Sequence, residues 1–119
     1  DHARVERLFA AHQVRDKGSG PALGPAAPVF AGELFKAGGR SVHSTRTDWL
    51  LRPDSDAPQD ARLDAMKRAL IEGMATAACE ADASARARTD AWRIRRLGNA
   101  ATTALRIGHV DLLATYAPR

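Results

Sequence analysis

DARLDAMKRALIEGMATAACEADASARARTDAWRIRRLGNAATTALRI, residues Asp60 to Ile107, is the stretch whose reading decides the fold. Alanine, the residue that costs least in a helix, runs through it, and no proline interrupts it. Leu63, Met66, Leu70 and Met74 recur at the spacing of one helical face, and Ala77, Ala78 and Ala81 extend that stripe with small side chains. Asp64 stands four residues before Arg68, the spacing of an exposed ion pair on one helix. Gly73 weakens a helix relative to alanine and is expected to mark a close crossing with another element. The bend falls near Asp82–Ser84, where short polar side chains can accept from free backbone N–H groups. The reading is therefore a central helix pair over 59–107.

The second helix can be drawn at 100° per residue. Ala87, Ala91, Ile94, Leu97, Ala101 and Leu105 fall on one side, and Arg88, Trp92, Arg95, Arg96, Asn99 and Arg106 on the other. Taking the aliphatic side as the core leaves an aromatic ring in a field of arginines facing outward. Arginine forks onto phosphates and carboxylates, and a neighbouring aromatic can stack on a base or fill a protein pocket. These six residues are the candidate partner-binding face. The competing reading packs Trp92 inside the same chain and leaves the arginines solvated. Gly98–Asn99 offers an alternative stop for the helix.

Working outward, Ser55, Asp56 and Pro58 carry start signals for the first helix of the pair. At the N-terminus, Val5, Leu8, Phe9 and His12 predict an amphipathic helix from about His2 to Lys17. Residues 18–28, GSGPALGPAAP, read as a flexible linker. Val29 to Ala37 predicts a short helix with Phe30 and Leu34 inward, stopped by Gly38-Gly39. Ser41-Val42-His43-Ser44-Thr45 has the mixture of a short strand, and Asp48 to Leu51 that of an apolar turn docking on the core. His109 to Tyr116 predicts a final helix with Leu112, Leu113 and Tyr116 as packing residues. The resulting fold class is mostly α: one domain of four or five helices with long irregular connections containing glycine and proline.

Bulk properties narrow the function. A chain of 119 residues fits one domain. Its hydrophobic fraction is 45%, but aromatic residues make up only 5%, so the core is short of bulk and the stability modest. The net charge is +4, and 15 of the 18 basic residues are arginines, which suits an acidic partner or reflects an alanine- and arginine-rich composition. No apolar run approaches the roughly 20 residues of a membrane span, so a soluble chain is expected. It begins at Asp1 rather than Met, as a product processed from a longer precursor would. The lone Cys79 excludes an internal disulfide and a cysteine-based zinc site, and reads as a buried small residue. The four histidines have no metal-ligand spacing, and Gly18-Ser19-Gly20 lacks the lysine and helix of a phosphate loop.

Two local resemblances bear on function. His43-Ser44-Thr45-Arg46 resembles the His-Gly-Ser/Thr-Arg segment of poly-ADP-ribose-polymerase-like ADP-ribosyltransferases, in which the histidine holds the nicotinamide ribose. It departs at the glycine, which is Ser44 here. The resemblance implies a strand-rich half with a stacking tyrosine and a catalytic glutamate, where this chain continues into helices. Ala104 to Leu113 resembles the middle of an ankyrin repeat, with Gly108-His109 as the turn between two short helices. The Thr-Pro-Leu-His opening is absent, and one repeat cannot fold alone.

These observations lead to three expectations. The first is a non-enzymatic structural or adaptor component of a larger protein assembly, without cofactor or metal. The second is a nucleic-acid-binding module using the same Trp/Arg face. The third is a small enzyme or toxin domain acting through His43, Ser44 and Arg46 with Glu33 or Asp48.

Overall fold

A computed structural model describes residues 1–53 and 61–116. The order of elements is α1 (His2–Gln13), α2 (Ala27–Ala37), β1 (Arg40–Arg46), β2 (Trp49–Leu51), α3 (Ala61–Ala81), α4 (Arg86–Gly98), β3 (Leu105–Ile107) and β4 (Val110–Tyr116). The mostly-α expectation is thereby corrected: the described residues form an α+β fold, rich in helix but with four strands in two small antiparallel sheets. The start signals at Ser55, Asp56 and Pro58 lie outside the described residues.

The helical half is α1, α3 and α4. Its core is Val5, Ile71, Ala75, Ala78, Trp92 and Ala100, with Leu8, Met74 and Leu97 packed against it. Small alanines on α3 let α1 approach closely, and the one large ring of α4 fills the space they leave. The buried stripe of α3 is Lys67, Ile71, Ala75 and Ala78, one position round from the expected Leu63–Met66–Leu70–Met74, whose members are half-buried at its edge. Gly73 is exposed, and a Cβ placed there meets nothing, so it marks no helix crossing. The bend stands where the polar side chains put it. Asp82 accepts from the Ser84 backbone N–H at 3.0 Å and from its hydroxyl at 2.6 Å, and a 3-10 turn over Ala83–Ala85 leads into α4.

The other end of α4 is held by two cations from α3. Arg68 Nη1 donates to the Leu97 carbonyl at 3.4 Å, and the buried Lys67 donates through Nζ to the Thr103 carbonyl at 2.9 Å. Carbonyls at a helix C-terminus and in the turn beyond it lack helical partners, and positive charge is favoured there. The expected Asp64–Arg68 pair is present at 2.7 Å.

The segment 18–28 is less irregular than its composition. Asp16 Oδ1 accepts from the N–H groups of Gly18 and Gly20, a 3-10 turn covers Gly24–Ala26, and α2 begins at Ala27. Gly24 adopts φ +53°, and a Cβ there would stand 2.7 Å from Val14 Cγ1. That position needs glycine both for conformation and for space.

The expected C-terminal helix is a strand. Its Leu112-Leu113 pair can sit on a helix or straddle a strand, and the partner that decides, β1, lies some seventy residues away. β1 pairs antiparallel with β4, Arg40 opposite Tyr116 through Arg46 opposite Val110. β2 pairs antiparallel with β3, Trp49 opposite Ile107 through Leu51 opposite Leu105. Asp48-Trp49-Leu50-Leu51 is thus largely strand rather than a docking turn. Both ladders keep one register, so they form a single two-stranded ribbon interrupted only at Thr47-Asp48 and Gly108-His109. The helix–turn–helix reading of Ala104 to Leu113 is replaced by strand, turn and strand.

Helix α2 lies on one face of the β1–β4 ladder. The Cα radius of gyration, 17.9 Å, exceeds the roughly 13.5 Å of a compact chain of this length. The molecule is elongated, 56 × 42 × 22 Å, with α2 and the ribbon contributing little to the helical core.

Candidate functional site

The Trp/Arg face is turned round. Trp92 is 4% exposed and belongs to the core, so the outward ring expected from aliphatic spacing is an inward one. Its indole Nε1 donates to His2 Nδ1 at 3.3 Å, and the two rings lie nearly parallel with centroids 6.0 Å apart. The aliphatic side is outward over most of the helix: Ala87 and Ala91 are exposed and Ile94 is 64% exposed, while Leu97 at its end packs on the core. The cause is volume. With α3 contributing alanines at the crossing, a small or branched side chain from α4 would leave a void, and indole fills it.

The other members of the set are scattered. Arg95 pairs with Asp1 at 2.7 Å. Arg88 is exposed, Arg96 half-buried, and exposed Asn99 ends α4, its carbonyl accepting from the Thr103 hydroxyl at 2.8 Å. Arg106 is not on the helix at all but on β3. The adjacent Arg93 is held by Glu72 at 3.0 Å and by Asp90, which together raise its already high pKa. Cys79, Glu80 and Arg86 line a groove of about 350 Å³ between α3 and α4 together with these charges.

The ribbon holds a node that residue patterning does not reveal, because its members are brought together only by strand pairing. Asp48 accepts from Arg46 Nε at 3.1 Å, from Arg106 Nε at 2.6 Å and from the backbone N–H of His109 at 3.1 Å. Hydrogen bonds from Arg46, then from Arg106, then from the His109 backbone outweigh its partial burial and lower its pKa to about 2. Thr47 donates its N–H to the His109 carbonyl at 3.0 Å. In an unbroken antiparallel ladder His109 would return its own N–H to Thr47, but the Asp48 carboxylate takes it instead. That competition interrupts the ribbon. Trp49 and His109 stack beside the node at 4.4 Å, and at the far end Arg40 lies 3.7 Å over the Tyr116 ring.

Of the residues of the enzyme expectation, Arg46 and Asp48 meet. His43 and Ser44 are exposed on β1, Arg46 is bound to Asp48, and Glu33 pairs with Lys36 on α2 at 3.0 Å. Among the described residues, no group of three or more His, Cys, Asp or Glu could hold a metal ion, and no helix is long and apolar enough to cross a membrane.

Helix α2 carries the most unusual surface. At 100° per residue, Ala27, Pro28, Ala31, Gly32 and Phe35 share one side and Val29, Phe30, Glu33, Leu34 and Lys36 the other. The first side is the more covered one, with Gly32 buried and Ala27, Pro28 and Ala31 half-buried, although Phe35 at its C-terminal end is exposed. The other side faces out: Val29 is 72% exposed, Phe30 53% and Leu34 62%. Phe30 and Leu34, expected inward, are outward. An isolated exposed leucine is ordinary, but a contiguous set of large apolar side chains marks an interaction surface.

No protein-family model, no curated protein and no solved structure matches the chain.

Proposed function

We propose that the chain is a non-enzymatic subunit of a larger protein assembly, docking through the outward face of α2. The observation that carries this reading is the outward face of that helix, with Gly32 buried and Val29, Phe30 and Leu34 toward solvent. Leaving three such side chains in water forgoes about 1.5–3 kcal/mol for each one that could be fully buried. A partner surface recovers it. The partner is protein rather than nucleic acid or lipid, because the only charges among these outward residues, Glu33 and Lys36, neutralise each other. Phosphates and anionic headgroups need unbalanced positive charge at the contact.

The nucleic-acid reading loses its stacking platform, since Trp92 lies in the core. The elongated shape and the two-stranded ribbon also favour a subunit, because a lone pair of strands is marginal without further packing. The test is Leu34→Glu against Ile94→Glu in the native source. Both replace exposed apolar residues, but only the first should release the chain from its assembly. Retention of both variants would refute docking through α2.

A further inference from the structure

Among the described residues the β1–β4 ladder has two open edges, and they differ in a way that selects an occupant for one of them. We infer that β4 pairs antiparallel with β4 of a second copy of this chain, forming a four-stranded sheet in the order β1-β4-β4-β1 across a two-fold axis.

Half of the backbone groups of β4 point away from β1. The bond from Thr47 N–H to the His109 carbonyl fixes the alternation of the ladder. Asp111, Leu113 and Thr115 direct their N–H and C=O groups toward β1, whereas Val110, Leu112, Ala114 and Tyr116 direct theirs to the open edge. A two-fold axis at Leu113 brings every outward group into a pair. Leu112 and Ala114 then exchange bonds with Ala114 and Leu112 of the second copy, and Val110 and Tyr116 do the same. This register uses all seven residues of the strand, and centres elsewhere in β4 use fewer.

Side chains agree with the backbone. In that register Leu113, 61% exposed in the single chain, meets its own symmetry mate, and Val110 lies opposite Tyr116. Aromatic and aliphatic cross-strand pairs of this kind are stabilising. Asp111, the only charged residue of β4, lies opposite Thr115, so no like charges meet. The β1 edge behaves oppositely. Centred on His43, the equivalent register would set Arg40 against Arg46 twice, and like charges directly opposite each other are destabilising. Charged residues on an edge strand are a recognised guard against pairing. β1 has that guard and β4 lacks it.

The symmetry also suits α2. A two-fold axis normal to the sheet keeps the covered face, with Val42, Leu112 and Ala114, on one side in both copies. Both α2 helices then flank the seam on that side. The pairing does not depend on α2 docking elsewhere, so either can fail alone.

The experiment is disulfide trapping in the whole chain with Cys79→Ser, so that one introduced thiol is the only one. Leu113→Cys should form a covalent dimer on mild oxidation, because the two Cα atoms of a non-hydrogen-bonded antiparallel pair lie about 4.5 Å apart, within disulfide range. His43→Cys should not, since the two copies of residue 43 would be three strand spacings, about 14 Å, apart. Sedimentation should show a dimer of the unmodified chain that Leu113→Lys converts to monomer with an unchanged circular-dichroism spectrum. A monomer of the unmodified chain, or cross-linking at residue 43 but not 113, would overturn the inference. So would a dimer that survives Leu113→Lys and dissociates with Leu34→Glu, an outcome that assigns self-association to α2.

Discussion

Trp92 on α4 and His2 at the start of α1, ninety positions apart in the chain, are joined by a hydrogen bond from the indole Nε1 to the imidazole Nδ1. The bond fixes the histidine tautomer. Nδ1 accepts, so the ring proton sits on Nε2, which lies 3.2 Å from Glu6. The arrangement closes the N-terminal helix over the α3–α4 pair and makes Trp92 a core residue.

Trp92→Ala should therefore cost about 3–5 kcal/mol of stability, the range for removing a large aromatic from a core. Urea unfolding followed by circular dichroism checks this. In a Trp49→Phe background, Trp92 emission should be blue-shifted and poorly quenched by acrylamide. Ready quenching in the folded protein would place the ring outside.

Lys67 gives a second test of the helical half. Only 3% exposed, its Nζ donates to the Thr103 carbonyl and ties α3 to the turn after α4. Lys67→Met keeps most of the stem but leaves that carbonyl without its partner, which should cost about 1–3 kcal/mol. An unchanged urea midpoint would mean the bond contributes nothing.

Asp48 sets the acid behaviour of the ribbon. Its carboxyl is held at about 2 in the folded protein, below the ordinary 3.8. A carboxyl with a depressed folded pKa stabilises above its unfolded value and loses that contribution as pH falls through the folded one. The ribbon should accordingly weaken between about pH 4 and pH 2. Asp48→Asn should lower stability near neutrality and flatten that part of the profile. Amide exchange at Thr47 and His109, whose N–H groups donate to the His109 carbonyl and to Asp48 at the interruption, is the measurement, and identical acid profiles for both proteins would contradict the role.

How much of this was legible follows from which contacts are local. The bend at Asp82 and the Asp64–Arg68 pair are made within a few residues, and the sequence shows both. So does the extended character of Ser41 to Thr45. The orientation of α4 is not local. Its aliphatic stripe looks like a core face until α3 is seen to offer alanine at the crossing, where only indole fills the gap. The orientation of α2 is likewise non-local, since its apolar residues run almost all round the helix and only the β1–β4 ladder decides which side is covered. The Asp48 node is invisible for a third reason: Arg106 and His109 reach it only through a pairing between segments some sixty residues apart.

The central claim is that Val29, Phe30 and Leu34 face a protein partner. Purification of the chain from its native source, with Leu34→Glu compared against unmodified protein, tests it most directly. The account expects the unmodified chain to elute in a stoichiometric complex with another protein, and Leu34→Glu to elute without it while keeping its fold and its Trp92 emission. A chain that elutes free of any other protein, or a Leu34→Glu variant still bound to the same one, would contradict it.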